Sequence, residues 1–215
     1  MKKKIQIIIF CKYPVPGLAK TRLIPALGSK GAAQLHRRMT DNVVSAARNA
    51  QSSNKDDSFQ IKISCTGEKL CKFKSWLGQD LKYSMQPSGG LGLRLQAEFK
   101  SAFQEQVKYA ITIGADVPGI TSDILRLAGN LLQDNDIVIG PAVDGGYYLI
   151  GMKSDNPELF NDIAWGTEQV YQQTLNKIKQ QALSVVTLPI LNDIDRPEDL
   201  EIIRNDSRFA ELFSD

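Results

Sequence analysis

Apolar and polar residues fall into blocks along this chain, and the period of the blocks changes in a regular order. Ile5–Phe10 is almost wholly apolar, interrupted by Gln6, which is the pattern of a strand buried on both faces. After Gly28, Ser29 is placed to cap a helix, and Leu35, Met39, Val43 and Ala46 then recur at spacings of four and three, forming one apolar face. Gln51–Ser58 is polar and turn-like, Phe59–Cys65 alternates as a strand, Glu68–Leu77 reads as a short helix, and Leu81–Met85 as a weak strand. Gly89–Gly92 opens another helix, with Leu95, Phe99, Phe103 and Val107 on one face. Tyr109–Gly114 is a strand, Thr121 caps the next helix, and Ile137–Gly140 and Gly146–Gly151 are two strands with a tight link. Thr167–Gln180 is helical, Ser184–Leu188 is β-branched and extended, and Pro197–Arg204 closes the chain as a helix.

Strands that alternate with helices predict a three-layer α/β/α fold around a mainly parallel mixed sheet. No repeat, low-complexity tract or linker divides the sequence, so residues 1–215 are expected to form a single domain. In such sheets ligands sit beyond the C-terminal ends of the strands. Three segments of chemical interest follow predicted strands: Cys11–Leu23, Gly114–Gly119 and Leu191–Pro197.

Composition narrows the picture. The net charge is +2, which argues against a general nucleic-acid binder without excluding a local cationic pocket. The three cysteines, Cys11, Cys65 and Cys71, form no Cys-x-x-Cys pair and read as free thiols of a reducing cytosol. Lys2–Lys4 before Ile5–Phe10 loosely imitates a signal peptide, but the run is short and meets Lys12 rather than a small-residue cleavage site. No run approaches the ~18 apolar residues of a membrane span. A soluble cytoplasmic protein is expected, with its oligomeric state left open.

The first loop, "PVPGLAKTRL", gathers Lys20, Thr21 and Arg22 beside Gly17. A Walker A loop is excluded, because Pro14 and Ala19 stand where its two glycines belong. "GGLGLRL" fails as a dinucleotide fingerprint, because Leu95 replaces the third glycine. What remains is a loop in which Gly17 permits a tight turn, Lys20 supplies a point charge and Arg22 a planar fork for phosphate oxygens. A solvated surface loop is the competing reading. Asp116, at the end of strand Tyr109–Gly114, can ligate Mg²⁺ or simply bond its own turn. Asp195 and Glu198 form a D-x-x-E helix start, so Asp195 can cap the helix and still offer an oxygen to a metal; Asp193 is the reserve ligand. Asp144, in "DGGYYLIG", can hold an acceptor or act as a base, while Asp-Gly is equally a hairpin signal and Gly145-Gly146 leaves room for a ligand. Trp165 and the single histidine, His36, read as core and edge-of-core residues.

Taken in order, the P-G-x-x-K-T-R-L loop, "GADVP", "DGGYYLIG" and "DIDRPEDL" resemble the nucleotide-diphospho-sugar transferase superfamily, the GT-A fold. Within it, the chain is similar to the bacterial glycosyltransferase-like family related to the cofactor guanylyltransferases. The resemblance implies that Gly17, Lys20, Thr21 and Arg22 wrap donor phosphates and that Asp116 and Asp195 bind Mg²⁺ or Mn²⁺. It also implies that Gly89, Gly90, Gly92 and Arg94 border the base or ribose. The expected partners are a nucleoside triphosphate or nucleotide sugar and a small-molecule acceptor. Lys20, Arg22, Asp116 and Asp144 are the expected catalytic residues. Two loop cations suit a triphosphate and "GADVP" lacks a D-x-D, so nucleotidyl transfer is favoured over glycosyl transfer. A non-catalytic nucleotide-binding module is the reading from another class.

Overall fold

The computed structural model describes residues 3–53 and 57–213. Strands β1 (Lys3–Lys12), β2 (Asp57–Thr66), β3 (Lys82–Met85), β4 (Tyr109–Gly114), β5 (Ile137–Pro141), β6 (Tyr147–Met152) and β7 (Val185–Thr187) form one sheet in the order β3-β2-β1-β4-β6-β5-β7. β6 runs antiparallel to both its neighbours, β4 and β5, and the other described pairings are parallel. The helices are α1 (Ile24–Ser53), α2 (Leu70–Leu77), α3 (Leu91–Gln104), α4 (Ser122–Leu131), α5 (Val170–Gln180) and the one-turn α6 (Leu200–Ile203). The three-layer α/β/α arrangement expected from the sequence is present.

The apolar run of β1 has its explanation in the layers. Ile5, Ile7 and Ile9 face a cluster that holds Val43 of α1, Phe73 of α2 and Leu125 of α4, whereas Ile8 faces Leu95 and Phe99 of α3 and Ile178 of α5. A strand covered on both sides needs apolar residues at both phases of its alternation. The polar Lys62–Glu98 pair, 2.8 Å apart and buried, fastens α3 to β2, and Glu98 also accepts hydrogen bonds from Ser64 (2.7 Å) and Ser84 (2.9 Å). That pairing holds the middle of α3 against β2 and β3.

Boundaries differ from expectation where local geometry intervenes. The run Ile24–Ser53 is broken at Gly28 (φ 68°, ψ 167°), so the long helix begins where Ser29 was expected to cap it. Helix α3 stops at Gln104 because Gln106 turns left-handed (φ 58°), leaving Val107 buried beyond its end. Helix α5 begins at Val170 rather than Thr167, and the closing helix is a 3-10 turn, Pro197–Asp199, followed by α6. A further 3-10 turn, Pro157–Phe160, has no counterpart in the periodicity because it is too short to repeat. Helix α1 reaches Ser53 and β2 starts at Asp57; the rest of the expected turn, residues 54–56, lies outside the described residues. Among the described residues no helix is long and apolar enough to cross a membrane.

The strand order reverses at β1, which has β2 on one side and β4 on the other. Chain leaving adjacent strands at such a switch point diverges and opens a crevice at their C-terminal ends. The loop after β1 carries Lys20 and the loop after β4 carries Asp116.

Candidate active site

The loop after β1 is a compact turn. Tyr13 N–H continues the pairing with β2 by donating to the Thr66 carbonyl, and the Val15 carbonyl accepts from both Leu18 and Ala19 N–H. Gly17 takes φ 82°, a conformation that favours glycine. Lys12 Nζ donates to the Leu18 carbonyl at 2.7 Å and Ala19 is buried, so the loop is pinned from below. Lys20 follows in the left-handed region (φ 46°, ψ 50°), an uncommon setting for a side chain with a Cβ. This turn sends the Lys20 side chain inward, where it is only 5% exposed.

Lys20 Nζ lies 3.1 Å from Asp116 Oδ2 and 3.5 Å from Asp195 Oδ1. Arg22 Nη1 donates to the other oxygen of Asp195, while the rest of the Arg22 side chain remains exposed. Two hydrophobic anchors and one backbone bond bring these distant segments together. Leu23 and Ile194 are both fully buried in the cluster formed by α1 and the C-terminal segment. Ile194 N–H also donates to the Asp116 carbonyl at 3.2 Å. Arg22 and Asp195 are the immediate neighbours of those anchors in sequence, and they meet for that reason.

Asp195 is not the helix cap. Asp199 performs that work, its Oδ2 accepting from Asp195 N–H at 2.9 Å and Arg196 N–H at 2.7 Å. The expected D-x-x-E start therefore shifts by one residue, and the Asp195 carboxylate is left for the two cations.

His36 corrects an expectation. It is buried rather than at the edge of the core, and it reaches the site from α1. Its Nδ1 is 3.1 Å from Asp116 Oδ1 and its Nε2 is 2.8 Å from the Lys12 carbonyl. Both partners are acceptors. An imidazolium satisfies both, a neutral ring only one. Nothing local in the sequence marks His36, because its role depends on α1 packing beneath the ends of β1 and β4. Burial raises the Asp116 carboxyl, but the Lys20 charge and the His36 hydrogen bond outweigh it and hold the group well below the usual carboxylate range. Asp116 is therefore ionised and positioned as an oxygen donor.

The two carboxylates converge on one point, and that point already holds a cation, the Lys20 ammonium. Carboxylate oxygens are the donors that Mg²⁺ and Mn²⁺ prefer, and Mg²⁺ commonly takes one or two carboxylates with substrate phosphates and water completing its shell. Asp116 and Asp195 fit that demand once Lys20 moves aside. Lys12, Lys20, Thr21, Arg22, His36, Asp116 and Asp195 line a cavity of about 360 Å³ at this point.

A second cavity, about 300 Å³, opens on the other side of Asp116. Leu91, Tyr147, Tyr148, Trp165 and Val170 supply its apolar wall, and Asp144 and Asp193 join Asp116 in its lining. Trp165 thus packs on the core, edge-on to Tyr147 at 6.2 Å, and also faces this space. The Asp144-Gly145 turn is a hairpin between β5 and β6, closed by Gly145 N–H donating to the Ala142 carbonyl. A Cβ at Gly145 would lie 2.2 Å from the Glu168 carbonyl oxygen, so the room that the glycine creates is filled by the protein's own backbone. Asp144 accepts from Gly146 N–H at 2.8 Å and its carboxylate stands at the cavity rim. Burial and the nearby Asp144 charge push the Asp193 carboxyl upward. Asp193, the reserve ligand, thus shares the lining of the second cavity with Asp144.

Within the segment Gly89–Arg94, the four residues expected at the base or ribose, Gly89, Gly90, Gly92 and Arg94, line neither cavity. Gly92 packs where a Cβ would meet the Phe160 carbonyl at 2.7 Å and Trp165 Nε1 at 2.8 Å, and the Arg94 guanidinium is bonded to the Gly89 carbonyl (2.9 Å) and Gln86 (3.1 Å). Of this segment, Leu91 alone among the described residues reaches the second cavity. The two buried thiols are poor nucleophiles: burial pushes Cys11 far up and Cys65 to about 12.

The comparisons with known proteins agree with this fold. The model of the family DUF2064, described as an uncharacterized protein conserved in bacteria, matches residues 33–167. A search of the curated proteins finds no match. A structure from Desulfovibrio desulfuricans G20, provisionally named a nucleotide-diphospho-sugar transferase, is 33% identical, with a TM-score of 0.86 over 99% of this chain and 94% of that one. CMP:2-keto-3-deoxy-manno-octonic acid synthetase complexed with CTP shares the fold at 11% identity (TM-score 0.57, covering 94% and 97%). So does glucosyl-3-phosphoglycerate synthase from Mycobacterium tuberculosis in complex with Mn²⁺, UDP and glucosyl-3-phosphoglycerate, at 10% identity (TM-score 0.56, covering 98% and 77%). By these matches the chain belongs to the family DUF2064 and carries the nucleotide-diphospho-sugar transferase fold.

Proposed function

We propose that the protein is a transferase that draws on a nucleotide donor, with the donor phosphates in the cationic cavity and Mg²⁺ or Mn²⁺ held by Asp116 and Asp195. The observation that carries this reading is the convergence of Lys20, Arg22, Asp116 and Asp195 at the switch point of the sheet. The bound cation would draw charge from the phosphate oxygens as the donor bond breaks. Arg22, exposed on one side, presents its free guanidinium edge to the phosphates. Lys20, displaced from between the carboxylates, follows the negative charge onto a phosphate oxygen. Gly17 and Thr21 wrap the phosphates, and Gly89, Gly90, Gly92 and Arg94 border the base or ribose from the end of β3. Asp144 orients the acceptor at the second cavity or takes its proton.

Nucleotidyl transfer is the favoured reaction. An acceptor oxygen attacks the α-phosphorus of a nucleoside triphosphate, the bond to the β-phosphate bridge breaks, and pyrophosphate leaves. Two loop cations beside a single strand-end aspartate support a triphosphate, and Gly114 stands where a D-x-D would place its first carboxylate. Glycosyl transfer from a nucleotide sugar is the alternative. Incubation with nucleoside triphosphates and nucleotide sugars, with Mg²⁺, separates the two: release of pyrophosphate supports the first and release of a nucleoside diphosphate the second. Binding of nucleotides with no turnover of any donor would leave a binding module. The same reading puts the protein in the cytosol, where its three free cysteines stay reduced.

A further inference from the structure

We infer that the second cavity takes an acceptor that bears hydroxyl or amino groups and no phosphate. The inference rests on the donor reading above, which assigns the phosphates to the first cavity. Asp116, Asp144 and Asp193 all line the second cavity, and its lining contains no lysine, arginine or histidine among the described residues. Lys12, Lys20, Arg22 and His36 line the first cavity instead.

A divalent cation at Asp116 would not reverse this field. It would take the place of Lys20 between Asp116 and Asp195, and those two carboxylates would balance its 2+ charge. Asp144 and Asp193 would remain, and neither has an ion-pair partner among the described residues. A phosphate of charge near −2 entering here would meet two carboxylates in a half-enclosed space, where like charges are poorly screened. Hydroxyl and ammonium groups are donors, and carboxylates accept from donors. The remaining wall suits a ring with one apolar face. Trp165, Tyr147 and Tyr148 stand on that side, and Leu91, at the start of α3, closes the edge. The volume, about 300 Å³, is at the small end of ligand sites and suits a single ring rather than a second nucleotide.

The division of charge makes sense of the transfer chemistry. The donor must deliver negative phosphates to one side of Asp116 and the acceptor must present an uncharged oxygen or nitrogen to the other. Two anions competing for the same cations would bind at each other's expense. An acceptor without phosphate avoids that competition.

The protein carries its own reporter. It has two tryptophans, so in the Trp76→Phe protein Trp165 is the only one left. Trp76 packs against Tyr13 and Phe73 away from the cavity, and phenylalanine preserves a ring there. Titration of Trp76→Phe with glucosamine, glucose and glucose 1-phosphate, following Trp165 emission, reads occupancy of this cavity and not of the first. The expected order of affinity is glucosamine, then glucose, then glucose 1-phosphate, with about tenfold or more (about 1.4 kcal/mol) between the first and last. Adding Asp144→Asn and Asp193→Asn should shrink that gap. Glucose 1-phosphate binding as tightly as glucose, or no Trp165 response to any of the three probes, overturns the inference. Nucleotide-induced thermal stabilisation of the same protein tests the donor reading separately. Nucleotide binding with a reversed sugar order defeats the acceptor inference alone, and the expected sugar order without nucleotide binding defeats the donor reading alone.

Discussion

The two cavities that meet at Asp116 share one wall and differ in almost everything else. The first is lined by a loop, is rich in cations and has little apolar surface; Lys20 and Arg22 hold its carboxylates in ion pairs. The second is lined by strand ends and helix starts, is walled by Trp165, Tyr147 and Tyr148, and holds Asp144 and Asp193, which form no ion pair among the described residues. The difference teaches how a single strand end can serve two ligands. Asp116 is held ionised from the first side by Lys20 and His36, and it turns the same oxygens toward the boundary between the cavities. One side is built to receive negative charge and the other to exclude it.

Substitutions that break this division should have unequal effects. The largest is expected from Asp116→Asn, which keeps the shape and removes the charge on the shared wall. Turnover of whichever donor proves active should fall by about a hundredfold or more, and the thermal midpoint of the apo protein should fall as the buried Lys20 and His36 lose their carboxylate. Steady-state kinetics beside a melting curve checks both halves. Arg22→Ala comes next. It removes an exposed guanidinium that faces the first cavity, so nucleotide affinity should fall about tenfold while folding stability changes by less than about 0.5 kcal/mol. Calorimetric titration with the donor and chemical denaturation measure the two.

Lys20→Met sharpens the comparison because it should act in opposite directions on two ligands. The ammonium sits between Asp116 and Asp195, so its removal should tighten Mn²⁺ binding to the nucleotide-free protein several-fold, read by the loss of free Mn²⁺ signal in electron paramagnetic resonance. Nucleotide affinity should fall in the same variant. An unchanged or weaker Mn²⁺ affinity would show that Lys20 does not compete for the metal position. The smallest effect is expected from Asp199→Ala, which removes the two backbone hydrogen bonds that start the closing turn. It should cost about 1 kcal/mol of stability, seen as a lower thermal midpoint, and raise the donor KM modestly as Asp195 loses its fixed backbone.

The sequence made the sheet legible because its strands are covered on both faces. Ile5–Phe10 and Ile137–Gly140 are too apolar for anything else of that length, and the periods of three and four on α1 and α3 are long enough to count. Elements of three or four residues, such as Pro157–Phe160 and α6, have no period to read. At the site, Lys20, Arg22, Asp116 and Asp195 were legible as individual residues after strands, and the structure brings all four together. Their pairing was not legible. It depends on Leu23 and Ile194 sharing a cluster and on one backbone bond from Ile194 to Asp116, contacts made across more than 70 residues. The helix start was misplaced by one residue because Asp195, Glu198 and Asp199 are all plausible capping carboxylates, and only geometry selects Asp199. His36 was misread because a histidine next to an apolar stripe looks the same whether it faces a side chain of the core or the end of a neighbouring strand. Gly145 was read as room for a ligand, and the backbone of Glu168 fills that room.

The central claim is that Asp116 couples a divalent cation to nucleotide binding in the first cavity. Its most direct test is thermal stabilisation of the wild-type and Asp116→Asn proteins by nucleoside triphosphates and nucleotide sugars, each with and without Mg²⁺. The account predicts that at least one nucleotide raises the wild-type midpoint and that Mg²⁺ enlarges the rise, whereas in Asp116→Asn the Mg²⁺ increment disappears. A wild-type midpoint indifferent to every nucleotide, or an Mg²⁺ increment of the same size in Asp116→Asn, would contradict it.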